Sequence, residues 1–200
     1  ITMIPYGSDT IHAAPLQPIL DLGLEQNQFA LCIARPEPEN SILEIVRAFS
    51  KKTRNQKLVI LGKFTPLQNE YHDKVMNASS DQVLFPGAIY DQKIVQALRF
   101  HCSVYVHGHS VGGTNPSLVE AMGAGSPVLA HDNRFNRWVA GDGAAYFTDE
   151  HTCEKKFDEL LECSDTLNLL PRSGKRRHKD NFQWNMILEQ YEQLLLEFEK

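Results

Sequence analysis

The chain has 200 residues, of which 42% are hydrophobic, and this is enough to bury the core of one large domain. Its net charge of −5 and pI near 5.9 argue against a sequence-independent nucleic-acid binder, which needs clustered Lys and Arg to displace the counterions of phosphates. The basic run at 175–179 is predicted to be a solvated helix face, because no aromatic residues interleave with it.

The four cysteines, Cys32, Cys102, Cys153 and Cys163, show no Cys-x-x-Cys spacing, and the first two fall in apolar runs where we expect small core residues. A reducing cytoplasm is the simplest context for them. No run approaches the roughly 18 apolar residues of a membrane span, and no cleavable leader is recognisable. The start, "ITMIPYGSD", is strand-like and lacks an initiator Met, so we expect a piece of a longer protein.

Short β-rich runs alternate with amphipathic helical stretches after this first predicted strand. In chain order they are "FALCIAR", "SILEIVRAFSKK", "KLVILG", "LQNEYHDKVMNAS", "QVLFPG", "DQKIVQALRF", "CSVYVHG", "PSLVEAMGAG", "SPVLAHD" and "AAYF". Strands that are apolar nearly throughout and separated by helices are typical of a parallel sheet covered on both faces. The sequence therefore predicts a single α/β domain over residues 1–200, with a doubly wound, Rossmann-like parallel sheet.

The C-terminal part differs because its helical runs, "TCEKKFDELLEC" and "NMILEQYEQLLLEF", have no strand between them. The intervening "SDTLNLLPRSG" is predicted to be a loop. The last helix, at about 184–199, carries an apolar stripe formed by Met186, Ile187, Tyr191, Leu194, Leu195 and Phe198. This stripe is wider than one surface helix needs, so we expect part of it to dock against a missing partner domain.

Ligands of such folds bind at the carboxyl ends of the strands. The loops after the second to fourth predicted strands are "ARPEPEN" with Arg35, "GKFTP" with Gly62, and "GAIYD" with Ile89 and Tyr90. The loop after the fifth begins at His109. Arg35 stands at a strand end, where its guanidinium could bind a phosphate group. The alternative is a surface residue without a binding role.

The stretch "HSVGGTNPSLVEAMGAG" combines a bare loop with a helix start. Gly112 and Gly113 let the backbone approach a ligand closely, Asn115 is a plausible N-cap, and Pro116 fits the first helical position. Free N–H groups there would hold an anion, and Glu120, about one turn further in, could accept hydrogen bonds from ribose hydroxyls. The alternative is a tight turn followed by a carboxylate that the helix dipole favours.

His101, His107 and His109 raise the alternative of a metal site, since the last two would point to one face of a strand. No carboxylate or Cys accompanies them at ligand spacing, so no metal site is expected. The chain also has no Asp-x-Asp, which disfavours a metal-bridged diphosphate site.

Residues 83–147 resemble the C-terminal, donor-binding domain of family 4 (group 1) glycosyltransferases of the GT-B class. "IPYGSD" resembles the start of that domain, "CIARPEPEN" its Gly-Arg-x-x-x-x-Lys segment, and "LVEAMGAGSPVLA" its Glu-Ala-Met-Ala-x-Gly-x-Pro-Val core, which is the most specific of these motifs. The final helix is similar to the family's closing helix, which packs back towards an N-terminal domain.

This resemblance implies a nucleotide-diphospho-sugar as donor substrate, with no bound cofactor. Arg35 would hold the diphosphate and Glu120 the ribose, so these are the candidate catalytic residues. Backbone around Ile89 and Tyr90 would face the base, and residues 113–116 would line the pyrophosphate and sugar. Together with Glu120, the candidate substrate-binding residues are Gly62, Ile89, Tyr90, His109, Gly112, Gly113, Thr114, Asn115 and Pro116.

Two positions depart from the family pattern. Its Lys aligns with Asn40, and the first Glu of its Glu, seven residues, Glu motif aligns with Gly112. "GGTNPSLVEAM" instead resembles a rhamnosyltransferase-like subgroup, for which a deoxysugar with fewer hydroxyls would be reasonable.

The resemblance implies transfer of a hexose such as rhamnose to a glycan or lipid-linked acceptor in polysaccharide biosynthesis. The acceptor would be held through the missing N-terminal domain, with peripheral membrane association of the full-length protein as a further expectation. The alternatives are a GT-B-like nucleotide-sugar epimerase, which needs carboxylate and His acid–base groups in the cleft, and a nucleotide-sugar-binding module that has lost its chemistry.

Overall fold

A computed structural model of the chain describes residues 2–162 and 164–198. Its centre is a six-stranded sheet in the order β3-β2-β1-β4-β5-β6, in which every neighbouring pair is parallel. The strands are β1 (Phe29–Ile33), β2 (Lys57–Leu61), β3 (Val83–Leu84), β4 (Val104–His107), β5 (Val128–His131) and β6 (Ala144–Phe147). The predicted doubly wound parallel sheet is confirmed.

Helices cover both faces of this sheet. They are α1 (Gln17–Leu20), α2 (Ile42–Ser50), α3 (Glu70–Asn77), α4 (Gln92–His101), α5 (Pro116–Ala124), α6 (Arg134–Ala140), α7 (Glu150–Glu162), α8 (Ser164–Asn181) and α9 (Trp184–Phe198). Along β1, Phe29 and Leu31 enter the core on the face that packs against α4 and α5, whereas Ala30 and Cys32 enter the core on the opposite face, which packs against α2 and α7. This alternation follows from the period of two along a strand, and it explains why β1 is apolar throughout.

The predicted strand over "ITMIPYGSD" is wrong, because residues 2–9 form only an isolated bridge between Ser8 and Gln183. The Ser8 N–H donates to the Phe182 carbonyl over 2.9 Å, and the Ser8 hydroxyl lies 2.9 Å from Nε2 of His178. The Tyr6 ring also lies edge-on to Trp184 of α9, with centroids 5.1 Å apart, so this segment contacts the C-terminal helices instead of joining the sheet. The strand that the sequence places second is consequently β1.

The loop predicted over "SDTLNLLPRSG" is also wrong, because these residues belong to α8, with Pro171 inside the helix. Tertiary packing against Gly143 accompanies this helix. A Cβ added at Gly143 would lie 2.7 Å from the Gly174 Cα, so the glycine at 143 allows α8 to pack directly on the turn before β6. Cys163, between α7 and α8, lies outside the described residues.

Two smaller predictions concern side-chain burial. Cys32 and Cys102 are buried, as predicted, and burial raises the pKa of each thiol to about 12. The basic run at 175–179 lies on α8, where Lys175, Arg176 and Lys179 are exposed as predicted. The prediction of a solvated face is wrong for His178, which is 1% exposed, and Arg177 donates to the Val139 carbonyl over 2.6 Å. In the described ranges we find no helix with both the length and the apolar character needed to cross a membrane.

Candidate functional site

The carboxyl ends of β1, β2 and β4 open into a cavity of ≈ 610 Å³. Strand β1 has β2 on one side and β4 on the other, so the strand order reverses beside β1. Open α/β sheets bind their ligands at such a point, because the loops leave neighbouring strands in opposite directions and form a crevice. The cavity therefore occupies the expected place, and its size suits a small-molecule ligand.

Most of the predicted site residues line this cavity. They are Arg35, Gly62, Ile89, Tyr90, His109, Asn115, Pro116 and Glu120. Gly113 and Thr114 instead line a second, more apolar cavity of ≈ 830 Å³, together with aromatic residues of α6 and α9. Gly112 lies at the turn before them with a φ of +125°, a conformation that favours glycine.

The loop that carries Arg35 is fixed from beneath by Asn40. Asn40 is only 4% exposed, and its Nδ2 donates to the Arg35 carbonyl over 2.8 Å. The position aligned with the family's Lys thus holds a buried amide that shapes the loop. The exposed Arg35 and Lys63 side chains both line the cavity, and Lys63 is a cation that the sequence reasoning missed.

His72 ties the loops of Arg35 and Lys63 to each other. Its Nδ1 accepts a hydrogen bond from the Thr65 N–H over 2.9 Å, which places the ring proton of a neutral imidazole on Nε2. That Nε2 donates to the Pro36 carbonyl over 3.0 Å. His72 therefore links the residue after Arg35 to the loop that follows β2.

Glu120 forms an ion pair that the sequence did not reveal. Its Oε2 lies 2.5 Å from Nη2 of Arg99, a side chain of α4 that is 8% exposed. The same Nη2 donates to the Ser117 hydroxyl over 3.1 Å, and that hydroxyl lies 2.5 Å from the Tyr105 hydroxyl. The Glu120 side chain itself is 38% exposed, so it remains accessible to a ligand in the cavity.

The signal for Arg99 was present in the sequence. Arg99 lies in α4 next to Ala97 and Leu98, on the buried side of the helix. A charged residue on an apolar helix face requires a partner, because a buried charge without one is costly. The carboxylate that pairs with Arg99 is contributed by the next helix.

His107 and His109 lie on one face, as predicted, with parallel rings whose centroids are 4.3 Å apart. Full burial holds the pKa of His107 well below its ordinary value. The pKa of His109 is also lowered, mainly by burial and to a smaller extent by the nearby Arg35 cation. His101 lies apart, with Nε2 3.1 Å from the Ala14 carbonyl. Among the residues that the structure describes, His, Cys, Asp and Glu side chains do not form a group of three that could hold a metal.

The start of α5 differs from its prediction in one respect. Pro116 occupies the first helical turn and Asn115 the N-cap position, but the Asn115 side chain makes no capping hydrogen bond. It lies against Gly112 instead, and its buried Nδ2 has no partner among the described residues. Asn115 is thus the N-cap residue, as predicted, but its side chain lines the cavity with an unused donor instead of capping the helix.

A family model described as "Glycosyl transferases group 1" matches residues 21–177. The chain belongs to this family. No curated protein matches the sequence. The match to the group 1 glycosyltransferases covers the whole sheet and every residue that lines the ≈ 610 Å³ cavity.

Solved structures share the fold of this group 1 glycosyltransferase domain. Sucrose-phosphate synthase from Thermosynechococcus elongatus has a TM-score of 0.81 at 18% identity, over 98% of this chain and 52% of its own. Anabaena HepE, in complex with UDP and glucose, has a TM-score of 0.79 at 15% identity, over 91% of this chain and 52% of its own. The C-terminal domain of LpcC, a group 1 family protein from Francisella tularensis, has a TM-score of 0.70 at 18% identity, over 88% of this chain and 96% of its own.

At these identities, the comparison establishes the fold alone. The chain spans about half the length of the first two proteins and nearly all of the isolated C-terminal domain. It has the Rossmann-like fold of a GT-B C-terminal domain, as predicted.

Proposed function

We propose that this group 1 glycosyltransferase domain binds a nucleotide-diphospho-sugar and supplies the donor half of a sugar-transfer site. The observation that carries the proposal is the cavity at the reversal of strand order, which has two exposed cations on one side and the Glu120 carboxylate on another. The solved structure of HepE with UDP and glucose, which has the same fold, supports this class of ligand.

The diphosphate is proposed to lie at Arg35 and Lys63. Both follow neighbouring strands, and both side chains are free to turn towards a ligand. Two cations can replace the charge that the family's Lys would contribute at the buried Asn40 position. Stabilisation of the leaving diphosphate by these groups would supply much of the rate, because the two cations lie where negative charge develops.

The nucleoside and the sugar of the donor are proposed to extend in opposite directions from the diphosphate at Arg35 and Lys63. The ribose would lie at the accessible edge of Glu120, and the base would lie against Ile89 and Tyr90. The sugar would face the turn at 112–114. Gly112 contributes no carboxylate there, which favours a 6-deoxyhexose such as rhamnose over a sugar that needs its hydroxyls held. The acceptor would be a glycan or a lipid-linked saccharide bound mainly through a second domain.

Replacement of Arg35 tests the proposal directly. Arg35→Ala should weaken binding of a nucleoside diphosphate by about 1.5 to 3 kcal/mol, roughly tenfold to 150-fold, because one charged hydrogen-bond donor is lost. The measurement is thermal shift followed by calorimetric titration with UDP, GDP, ADP and dTDP, each in EDTA and in Mg²⁺. A matched hexose and 6-deoxyhexose donor of the tightest nucleotide complete the panel.

Arg47→Ala is the control, since Arg47 is exposed on α2 and does not line the cavity. Unchanged affinity in Arg35→Ala, or binding that strictly requires Mg²⁺, would contradict the proposed diphosphate site. Failure of all four nucleotides to bind the unmodified chain would contradict the proposed function itself.

A further inference from the structure

The His109 side chain is held in a fixed position at the edge of the cavity. Nδ2 of Asn133 and Nδ2 of Asn136 each donate to the His109 carbonyl over 2.9 Å. On its other side, the His109 ring stacks on His107, which is 1% exposed. Backbone and ring are thus both constrained, and a group that is constrained before a ligand arrives loses little freedom on binding.

One ring nitrogen of His109 is available to a ligand. Nδ1 is buried and has no hydrogen-bond partner among the described residues. Nε2 is not buried, and it too makes no hydrogen bond to a described residue. The ring lines the same cavity as Arg35 and Asn115. Nε2 is therefore the nitrogen that a bound molecule can reach.

Charges of both signs surround this ring. The ionisable groups on the elements around it are Arg35, Glu39, Lys63, His107, Glu120 and His131, together with Arg134 of α6 and the ion pair of Asp132 with Arg137 at the start of that helix. The burial of the ring and the neighbouring Arg35 cation favour the neutral imidazole, and only Glu39 opposes them. An anion bound at Arg35 would cancel that cation's effect and add negative charge of its own.

We propose that His109 takes up one proton from solution when a nucleoside diphosphate binds, and that its Nε2–H then donates a hydrogen bond to a phosphate oxygen. This inference rests on the proposed function. It adds a specific role for His109 and a dependence of donor binding on pH.

The direction of the pH dependence follows from linkage. The neutral ring of the free protein becomes charged only in the complex, so the pKa of His109 rises on binding. Affinity should increase as the pH falls through the pKa of the bound form, and the increase should end below the pKa of the free form. Donor binding is thus tighter near pH 6 than near pH 8.

Calorimetry on the full 200-residue chain measures the proton directly. The tightest of UDP, GDP, ADP and dTDP is titrated at pH 6.5 in buffers of different ionisation enthalpy, and the slope of observed heat against that enthalpy gives the protons taken up. We expect the unmodified chain to take up roughly half a proton or more per nucleotide beyond the uptake measured for His109→Gln. Inorganic pyrophosphate, titrated in the same way, should give a similar slope, because the effect belongs to the phosphates.

His109→Gln removes the titrating group but keeps a neutral amide donor near Nε2. Relative to this variant, the unmodified chain should gain roughly threefold to tenfold in affinity between pH 8 and pH 6. The comparison cancels the titration of the nucleotide, because both proteins bind the same ligand. His151→Gln is the matched control, since His151 is exposed on α7.

Each outcome is decisive. Proton uptake in the unmodified chain and in His151→Gln that exceeds the uptake in His109→Gln supports the proposal. Equal proton uptake in the unmodified chain and in His109→Gln overturns it, because the titration of the nucleotide contributes the same amount to both; in that case, nucleotide binding would still support the proposed function. If none of the nucleotides nor pyrophosphate binds, both proposals are overturned.

Discussion

Glu120 forms an ion pair within the protein and is also proposed to bind the ribose of the ligand. Its Oε2 pairs with the buried Arg99, and its exposed edge faces the cavity. An ion pair of this kind orients the carboxylate, because Arg99 is itself held by Ser117. The ribose role that the sequence predicts for Glu120 is therefore compatible with a structural role, and the two can be separated.

Glu120→Gln provides the separation. The neutral amide keeps the shape but accepts hydrogen bonds from hydroxyls more weakly, so nucleoside diphosphate affinity should fall roughly fivefold to tenfold while pyrophosphate affinity stays constant. Stability should fall by about 1 to 3 kcal/mol, because the Gln amide can still accept a hydrogen bond from Arg99 but no longer neutralises its buried charge. Calorimetric titration with both ligands and urea unfolding measure the two effects.

Glu159→Gln is the control for this experiment, because Glu159 is an exposed carboxylate on α7 with its own ion pair to Lys156. Equal weakening of nucleotide and pyrophosphate in Glu120→Gln would show that Glu120 acts only by shaping the site.

At this scale, the sequence predicted residues that are recognisable by position. Arg35 stands directly after a strand and Glu120 within a specific motif, so both could be placed at the sheet edge. The partner of Glu120 could not be named, because Arg99 lies in the preceding helix and only folding brings the two side chains to 2.5 Å. The role of Asn40 was hidden for the same reason, since its hydrogen bond to Arg35 depends on how the loop turns.

At the scale of elements, the site depends on contacts between loops. His72, on α3, joins the loop of Arg35 to the loop of Lys63 through two hydrogen bonds. These hydrogen bonds and the packing beneath the loops hold the two loops at a fixed separation. His72 itself lines the cavity, so the spacing of the two proposed phosphate ligands is set by a residue of the cavity wall.

Removing this connection should affect both stability and binding. His72→Leu leaves the Thr65 N–H and the Pro36 carbonyl without their partner, which should cost about 1 to 3 kcal/mol of unfolding free energy. Nucleoside diphosphate affinity should also fall, because Arg35 and Lys63 are no longer held together. Urea unfolding and calorimetric titration at a temperature where the variant is folded measure these effects.

His151→Leu, at an exposed position on α7, shows how much a histidine-to-leucine change costs when no contact is lost. A destabilised His72→Leu that binds nucleotide with unchanged affinity would mean that His72 supports the fold and leaves the site unaffected.

The two mistaken element predictions have a common physical origin. "ITMIPYGSD" has the apolar content of a strand, and "SDTLNLLPRSG" has the Pro and Gly of a loop, yet tertiary contacts decide both. The Ser8 N–H is satisfied by the Phe182 carbonyl, and the absence of a Cβ at Gly143 lets α8 pack against that residue at Gly174. Patterns within ten residues do not contain contacts of this range.

At the scale of the whole molecule, the fold was the most predictable feature. Its strands are apolar on both faces, and this pattern requires helices on both sides, which makes the parallel sheet nearly the only solution. What surrounds the domain was less predictable. Ile187 of the predicted α9 stripe is buried, whereas Tyr191 and Leu195 are exposed, and Phe198 lies outside the residues whose side chains are described.

Four exposed apolar residues of α9 form one surface, namely Leu188, Tyr191, Leu195 and Leu196. The predicted stripe did not include Leu188 and Leu196. The exposed fractions of the four residues are 59% for Leu188, 47% for Tyr191, 66% for Leu195 and 54% for Leu196. A contiguous apolar surface of this kind marks an interaction site. We propose, as the sequence predicted, that a second domain packs on this helix.

The last prediction follows from the proposed second domain. Glycosyltransferases of the GT-B class work in the cleft between two domains, and this chain spans about half of the sucrose-phosphate synthase and HepE chains that share its fold. Closure of such a cleft excludes water from the activated sugar and brings the acceptor to it. The 200-residue chain alone should therefore bind the nucleoside diphosphate with nearly the affinity of a longer chain that carries the partner domain. Its release of nucleoside diphosphate from the sugar donor should stay near the uncatalysed background, with or without acceptor, whereas the longer chain turns over. Acceptor-dependent release by the isolated chain at a comparable rate would place the acceptor site on this domain and leave the apolar surface of α9 without its proposed role.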